Sequence, residues 1–188
     1  MSQIKLKHSG GNGVIIAAPS SNPSADRTLT LPGDGDGEIL TNVSRKGFFA
    51  RQTTAHDIPT DTFTKVINLT TDSITQNLGS SFADSRFTVA TGQDGVYFIF
   101  GGVGIDDIQR IDHVQIKFSV NGTLQTLMHE EKCQFQNGTT PNLIVGTGLF
   151  GYMIDLSVGD YVELFVLHNE GSTEPTEEDR TWFGGFRI

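Results

Sequence analysis

The stretch HVQIKFSVNGTLQTLMHEE, from His113 to Glu131, begins with apolar and polar residues in alternation. The apolar residues of its first half share one side of an extended chain: Val114, Ile116, Phe118 and Val120. Such a period of two is typical of a strand with one buried face. Asn121-Gly122 follows directly, and this pair between two strand-like runs is the strongest short-range signal for a β-hairpin. The stretch therefore predicts two antiparallel strands joined by a tight turn.

Similar strand-like runs cover most of the chain after residue 56. Residues 61–71 predict a first strand, and residues 85–105 predict two strands divided by a turn at 92–95. Residues 149–168 predict a further pair of strands around the turn Val158-Gly159-Asp160. No long window shows the helical period of 3.6 residues. About eight to ten strands at this spacing predict an all-β sandwich or jelly roll.

The composition excludes several classes of protein. A net charge of −9 repels phosphate backbones, so nucleic-acid binding is not expected. The single cysteine, Cys133, cannot form an intrachain disulfide. No run approaches the roughly 18 apolar residues of a membrane span, and residues 1–7 lack the apolar core of a signal peptide. We therefore expect a protein that folds in a cytoplasm and does not insert into a membrane.

The charge and the aromatic content divide the chain into an arm, residues 1–55, and a head, residues 56–188. Six basic and four acidic residues give the arm +2, whereas seven basic and eighteen acidic residues give the head −11. The arm contains only two aromatic residues, Phe48 and Phe49, so it cannot build a closed core of its own. A chain that starts near Thr54 is therefore expected to fold without the arm. The short strand-like runs of the arm, such as Ile4–Lys7 and Thr28–Leu31, are marginal alone and favour wrapping with copies from neighbouring chains.

Signals for catalysis are weak. The five histidines lack the i, i+4 spacing of a zinc pair, and no Gly-x-Ser-x-Gly elbow is present. We expect structural roles for the histidines, no enzymatic activity and no cofactor. The candidates for binding a divalent cation such as calcium are four carboxylates near the C-terminus: Glu174, Glu177, Glu178 and Asp179. The alternative is that residues 170–179 form a solvated loop whose like charges repel one another.

As a set, several segments of the head resemble the C1q/tumour-necrosis-factor (TNF)-like jelly roll. The resembling residues are Phe63, Val66, Asn68, Phe82, Phe87-Thr88-Val89, Gly95-Val96-Tyr97-Phe98, Asn121-Gly122, residues 156–162 and Trp182-Phe183-Gly184-Gly185-Phe186. The resemblance implies a homotrimer in which the final strand lies in the middle of the inner sheet, close to the trimer axis. It further implies a trimer core formed by aromatic residues: Tyr97, Phe98, Trp182, Phe183 and Phe186.

The arm resembles a different group of proteins. Residues 6–42, LKHSGGNGVIIAAPSSNPSADRTLTLPGDGDGEILTN, are similar to a segment of marine bacteriophage fibre and tail-associated proteins. The resemblance implies a virion protein, assembled in the host cytoplasm, whose arm binds capsid or tail proteins. The positions expected to anchor it are apolar: Ile4, Leu6, Val14, Ile15, Ile16, Leu29 and Leu31.

The resemblances leave three roles open for the projecting head. The first is a fibre or decoration protein whose head adheres to a glycan or protein of the host surface. The second is a cement protein that only stabilises the capsid or the tail. The third is a small glycan-depolymerising spike, for which paired carboxylates would be needed.

Overall fold

The computed structural model of the chain describes residues 3–7, 9–11, 13–17, 47–71, 81–108, 113–132, 143–147 and 150–188. The contacts between residues divide the chain into two compact units, Met1–Ile39 and Leu40–Ile188. Within the described ranges, no helix is long and apolar enough to cross a membrane.

The first unit contains a β-hairpin. Strand β1 (Gln3–Lys7) pairs antiparallel with β2 (Gly13–Ala17), from Gln3 opposite Ala17 to Lys7 opposite Gly13. The strand predicted from Ile4 onward is therefore confirmed. Five of the expected anchoring positions lie in this hairpin: Ile4, Leu6, Val14, Ile15 and Ile16. Leu6 is 59% exposed, whereas Leu29 and Leu31 lie outside the described residues.

The second unit is built from antiparallel strands and includes the predicted head of residues 56–188. From here on, the head denotes residues 40–188 and the arm denotes residues 1–39. In chain order the strands of the head are β3 (Gly47–Gln52), β4 (Asp57–Ile58), β5 (Thr64–Lys65), β6 (Leu69–Thr71), β7 (Phe82–Ala83), β8 (Arg86–Thr88), β9 (Gly95–Ile108), β10 (His113–Val120), β11 (Thr123–Lys132), β12 (Leu143–Gly146), β13 (Phe150–Leu156), β14 (Tyr161–His168) and β15 (Glu174–Arg187).

These strands form two sheets. The larger sheet has the order β12-β9-β15-β3-β6, with β13 also paired to β9 and β4 to β15. The smaller sheet has the order β11-β10-β14-β8-β7, with β5 also paired to β14. The final strand, β15, lies between β9 and β3, which is the central position that the resemblance to the jelly roll implied. The all-β sandwich predicted from the sequence is confirmed.

The core lies between the two sheets and contains stacked aromatic rings. Phe48 of β3 stacks on Phe87 of β8 with 4.5 Å between the ring centroids, and it meets the edge of Phe183 at 4.9 Å. Tyr97 is fully buried and donates a hydrogen bond from its hydroxyl to the carbonyl of Gln93 at 2.6 Å. On β10 the predicted alternation is confirmed, because three of its apolar residues are fully buried: Val114, Ile116 and Phe118.

Two turns at one end of the sandwich are tied together by side chains. Asn121 and Gly122 both have positive φ, 51° and 79°, so they form the predicted hairpin turn between β10 and β11. The Asn121 amide donates to Asp160 Oδ1 at 2.8 Å, and its oxygen accepts from the Tyr161 N–H at 3.0 Å. The hydrogen bonds from Asn121 and from the Ser157 N–H hold the pKa of Asp160 below its ordinary value.

Two of the strand predictions need correction. The residues around Val158-Gly159-Asp160 do not join a hairpin, because β13 pairs with β9 in the larger sheet and β14 pairs with β10 in the smaller one. Residues 61–71 do not form one strand either, because β5 joins the smaller sheet and β6 the larger. Asn68 lies between β5 and β6 with a φ of 60°, and this left-handed conformation is incompatible with a continuous strand.

Strand β3 belongs to the head, which moves the expected boundary after residue 55 toward the N-terminus. It pairs with β15 from Gly47 opposite Phe186 to Arg51 opposite Trp182. Its inward side chains, Phe48 and Ala50, are 3% and 0% exposed. A chain that starts near Thr54 would therefore lack a strand of the larger sheet and part of the core, contrary to the expectation from the sequence.

Candidate functional site

Five aromatic side chains form one continuous group on the outer side of the larger sheet. We call this group the aromatic face: Phe49, Phe98, Phe100, Trp182 and Phe186. Neighbouring ring centroids in it lie 5.6 to 6.5 Å apart. These distances are in the range of favourable ring–ring contacts, so the rings support one another laterally across three strands.

The alternation of the strands explains how one aromatic run serves both sides of the sheet. On β9, Tyr97 and Ile99 are fully buried in the core, while Phe98 points to the opposite side. On β15, Phe183 is fully buried, whereas Phe186 points outward and is 48% exposed. The inward rings fill the sandwich, and the outward rings remain at the surface of the single chain.

Glycines in the sheet let the outward rings lie close to the backbone. Trp182 is opposite Gly102 and Phe100 is opposite Gly184 in the ladder between β9 and β15. A Cβ atom added to Gly102 would lie 2.9 Å from the indole ring, and one added to Gly184 would lie 2.6 Å from the Phe100 ring. Both distances are below ordinary contact distances, so only glycine permits this arrangement. The result is a surface of rings lying over backbone.

Further apolar side chains extend the aromatic face. Val96 of β9 and Met153 of β13 are 43% and 67% exposed. Met153 is the cross-strand neighbour of Phe98, and Phe98 is the neighbour of Phe186. A contiguous apolar patch on the surface of a soluble protein commonly marks an interaction site. This patch is therefore the candidate functional site of the head.

The residues expected to form the trimer core divide between the two sides of the larger sheet. Tyr97 and Phe183 are 0% exposed and are enclosed by the core of the single chain, so they are not available to a neighbouring chain. Phe98, Trp182 and Phe186 belong to the aromatic face. Phe186, an expected member of the trimer core, is 48% exposed within one chain.

Sequence reasoning missed three members of this surface. A period of two along β9 places Phe100 beside Phe98 and could have identified it. Phe49 was overlooked because β3 was assigned to the arm. Met153 lies beside Phe98 because β13 pairs with β9. No local sequence pattern predicts this pairing.

The acidic segment before the final aromatic run is not a free loop. Strand β15 begins at Glu174, which pairs with Ile58 of β4 and is only 7% exposed. Its carboxylate accepts a hydrogen bond from the Ser172 hydroxyl. Further along, Glu178 Oε1 accepts a hydrogen bond from the Ala55 N–H at 2.9 Å. The first part of this segment is therefore built into the sheet.

The four carboxylates proposed for calcium do not form a cation site within one chain. Glu174 is paired with β4 and only 7% exposed, whereas Glu178 and Asp179 are exposed in the irregular part of β15. In the part of the chain that the structure describes, no group of three His, Cys, Asp or Glu side chains could hold a metal ion. This covers all four candidates: Glu174, Glu177, Glu178 and Asp179.

The outer side of the smaller sheet carries an ion-pair network instead of aromatic rings. Glu163 Oε1 lies 2.8 Å from Lys65 Nζ and 2.8 Å from Arg86 Nη2. Arg86 also covers the ring of Tyr161, with its guanidinium carbon 4.0 Å from the ring centroid. Lys117 of the neighbouring strand lies over the ring of Phe63 at 4.9 Å. Charged groups therefore cover the rings of Tyr161 and Phe63 on this surface.

The protonation of Glu163 follows from these contacts. Burial alone would raise the pKa of its carboxyl group, but hydrogen bonds from Lys65 and Arg86 and the charges of both outweigh it. The pKa of Glu163 is therefore lowered from its ordinary value. The carboxylate stays ionised near neutral pH although its side chain is only 6% exposed.

Two histidines have structural roles. His168 is fully buried, donates from Nε2 to the Ile58 carbonyl at 2.8 Å and accepts from the Glu170 N–H at Nδ1. His56 has its Nε2 3.1 Å from the Lys65 carbonyl, and burial lowers its pKa. Both rings bridge neighbouring backbone segments of the head.

No protein-family model matches the chain, and no curated protein matches its sequence. Solved structures do match the fold. Eiger TNF from S. frugiperda superposes with a TM-score of 0.56 at 11% identity, covering 77% of this chain and 92% of that one. Murine APRIL gives 0.53 at 12% identity and the same 77% coverage of this chain, with 99% of its own length.

The globular domain of the zebrafish complement 1qA protein gives a TM-score of 0.50 at 15% identity, covering 77% of this chain and 97% of that domain. At such low identity these matches establish the fold alone. The two antiparallel sheets and the central position of β15 agree with them. The chain therefore has the C1q/TNF-like jelly-roll fold.

Proposed function

We propose that this chain is a structural protein of a bacteriophage particle whose head assembles as a homotrimer through the aromatic face. The observation that carries the trimer is the exposure of this face in a single chain, above all of Phe186 and Met153. Burying apolar surface of this kind favours association by roughly 25 cal/mol per Å². Phenyl and indole rings carry no charge, so burying the five rings desolvates no ionised group.

Identical chains are the partners that fit this face best. The resemblance to the C1q/TNF-like jelly roll implies that the sheet containing the final strand faces the trimer axis. Strand β15 is central in the larger sheet, and Phe186 projects from it. A threefold axis near Phe186 brings three copies of one ring together, so each chain covers the apolar patch of the next.

The proposed role of the arm is attachment to the phage particle. Its similarity to a segment of marine bacteriophage fibre and tail-associated proteins supports a role in attachment to capsid or tail proteins. The hairpin of β1 and β2 offers strands that can pair or pack with such a partner. The head then projects and contacts the host surface. Three weak sites on one rigid trimer raise the effective affinity without new contacts.

The test of particle attachment compares the full chain with residues 40–188, which retain β3. Both carry an affinity tag and are produced during phage growth, and purified particles are imaged after gold labelling. We expect the full chain on particles and the shorter chain only as free trimers. Incorporation of residues 40–188 at the same level would overturn the role of the arm. Labels at symmetry axes of the shell, rather than at the tail or on projecting fibres, would assign a stabilising function instead of adhesion.

A further inference from the structure

The head contains a polar cavity at the edge of the aromatic face. Its volume is about 370 Å³, within the range of roughly 300 to 1,000 Å³ that is typical of small-molecule sites. It lies where β3 and β6 meet the irregular part of β15, whose pairing with β9 shifts between Glu177 and Trp182. The cavity is lined by Arg51, Gln52, Thr53, Thr70, Thr71, Glu178 and Asp179.

Strand register places the cavity beside the aromatic face. Arg51 of β3 is opposite Trp182 of β15 on one side and opposite Thr70 of β6 on the other. The indole, the guanidinium and the threonine therefore form a row across three strands. A ligand held by Arg51 would have an aromatic ring on one flank and a hydroxyl group on the other.

Some of the polar side chains that line the cavity are held by contacts within the protein, and others can bind a ligand. Glu178 is held in place by the Ala55 N–H. Arg51 and Asp179 form no ion pair within 4.0 Å among the described residues. Gln52 is 5% exposed and its amide nitrogen donates to the Ile67 carbonyl at 3.0 Å, yet its Oε1 has no hydrogen-bond partner in the described part of the chain. That oxygen is enclosed by the protein, so Arg51 and Asp179 remain as the groups of the lining that can bind a ligand.

The lining chemistry restricts the class of ligand. Glu178 and Asp179 disfavour an anion, because two carboxylates face one guanidinium. A divalent cation is disfavoured by the guanidinium itself and by the absence, within the described ranges, of three grouped metal-binding side chains. A large apolar ligand would bury the Arg51 guanidinium and the Asp179 carboxylate without partners. A neutral molecule with several adjacent hydroxyl groups satisfies carboxylate, guanidinium and hydroxyl groups together.

We infer that this cavity is a binding site for a neutral saccharide residue. The Asp179 carboxylate accepts from sugar hydroxyls and the Arg51 guanidinium donates to them, while Trp182 flanks the apolar side of the ring. This site rests on the proposed adhesive function in one respect: the sugar would belong to a glycan of the host surface. Binding of a free sugar is independent of particle attachment and can be measured on the isolated protein.

The experiment titrates the full chain with methyl α-D-mannopyranoside, methyl β-D-galactopyranoside and N-acetyl-D-glucosamine up to tens of millimolar. Binding is followed by saturation-transfer NMR and by the fluorescence of Trp182, the single tryptophan of the chain. We expect at least one sugar to bind with a Kd of about 1 mM or below. The anionic sugar glucuronate should bind at least about tenfold more weakly, because of the two carboxylates.

Two variants separate the cavity from the rest of the surface. Asp179→Ala should weaken binding at least about tenfold. Asp94→Ala removes another exposed carboxylate, which directly precedes β9 and is not part of the cavity lining, and should bind like the wild type. Thr70→Val provides a second cavity variant and should also weaken binding. The position is exposed, and valine is favourable in a strand, so the fold should tolerate the change.

The inference is overturned if no sugar binds, or if both cavity variants bind as tightly as the wild type. Sedimentation of the same samples measures the oligomeric state, so a failure of sugar binding can be distinguished from a failure of trimer assembly. A trimer without sugar binding rejects the saccharide site and leaves the assembly intact. A monomer that binds sugar rejects the assembly and leaves the site intact.

Discussion

The two outer faces of the sandwich are built from the same kind of strand but carry opposite chemistry. On the smaller sheet, Glu163 is held between Lys65 and Arg86, and Arg86 in turn covers the ring of Tyr161. On the larger sheet, the five rings of the aromatic face contact one another, and Phe186 remains 48% exposed. Both sheets bury their inner sides in one core, so the fold alone does not require this difference.

The difference indicates which face meets water and which face meets protein. Charged groups over aromatic rings leave a surface that is already well solvated. Rings that lie over glycines leave an apolar surface whose burial requires another molecule. This contrast is the reason why we propose the larger sheet, and not the smaller one, as the interface of the trimer.

The largest expected effect concerns the completeness of the larger sheet. Residues 40–188 should unfold cooperatively, whereas residues 54–188 should not fold, because they lack β3 and its buried Phe48 and Ala50. Removal of one buried Phe side chain costs about 3–5 kcal/mol, compared with a typical domain stability of about 5–15 kcal/mol. Circular dichroism with urea titration checks this. A cooperative transition of residues 54–188 would show that the larger sheet does not need β3.

The next effect compares two rings of one strand that point to opposite sides. Phe183→Ala should lower the free energy of unfolding by about 3–5 kcal/mol, because this side chain is fully buried. Phe186→Ala should lower it by about 1 kcal/mol or less when measured on dissociated chains, because half of this side chain is already exposed. Denaturant unfolding at low protein concentration measures both. Equal losses would mean that the two sides of the sheet are not distinct.

A smaller effect tests the contact between rings and glycines. Gly184→Ala should lower the free energy of unfolding by about 1–3 kcal/mol, because its Cβ would lie 2.6 Å from the Phe100 ring. Gly146→Ala is the matched control, since its Cβ would meet only the flexible Arg180 side chain at 3.9 Å. Thermal unfolding of the two variants compares them directly. A Gly184→Ala protein as stable as the control would contradict the close approach of the rings.

The smallest effect concerns the ion pairs of the smaller sheet. Glu163→Gln should lower the free energy of unfolding at pH 7 by about 1–2 kcal/mol. Since the pKa of Glu163 is lower in the folded chain than its ordinary 4.5, its contribution is fully present above that ordinary pKa. It is lost as the pH falls through the lowered pKa of the folded chain. Denaturant titrations of both proteins from pH 7 downward should therefore converge in acid. A difference that does not depend on pH would exclude the ion pairs as its source.

The local features of the fold were predictable from the sequence. The period of two on β10 fixed the inward position of Ile116, and Asn121-Gly122 fixed the turn that follows. The same period, applied to β15, separates Phe183 from Phe186, although the resemblance to the jelly roll places both in one trimer core. The period of two within a single strand therefore predicts which of its side chains lie on each side of the sheet.

The pairings between distant segments were not predictable in this way. Strand β3 joins β15 across more than a hundred residues, and nothing within Gly47–Gln52 identifies that partner. The burial of Glu174 likewise depends on its pairing with β4. The polar cavity needs three strands to meet, so its side chains have no common spacing in the sequence. Such features depend on tertiary contacts, which a single sequence does not reveal by periodicity.

The most direct test of the account is the mass in solution of the full chain and of Phe186→Asp, measured by sedimentation at micromolar concentration. The wild type should sediment at three times the chain mass of 20.4 kDa. Phe186→Asp should sediment as a folded single chain, because it places a charge in the aromatic face without disturbing the core. The matched variant Leu127→Asp, at a 58% exposed position of β11 in the smaller sheet, should remain a trimer. A well-folded wild-type monomer, or a Phe186→Asp protein that still forms trimers, would contradict the assignment of the aromatic face as the interface.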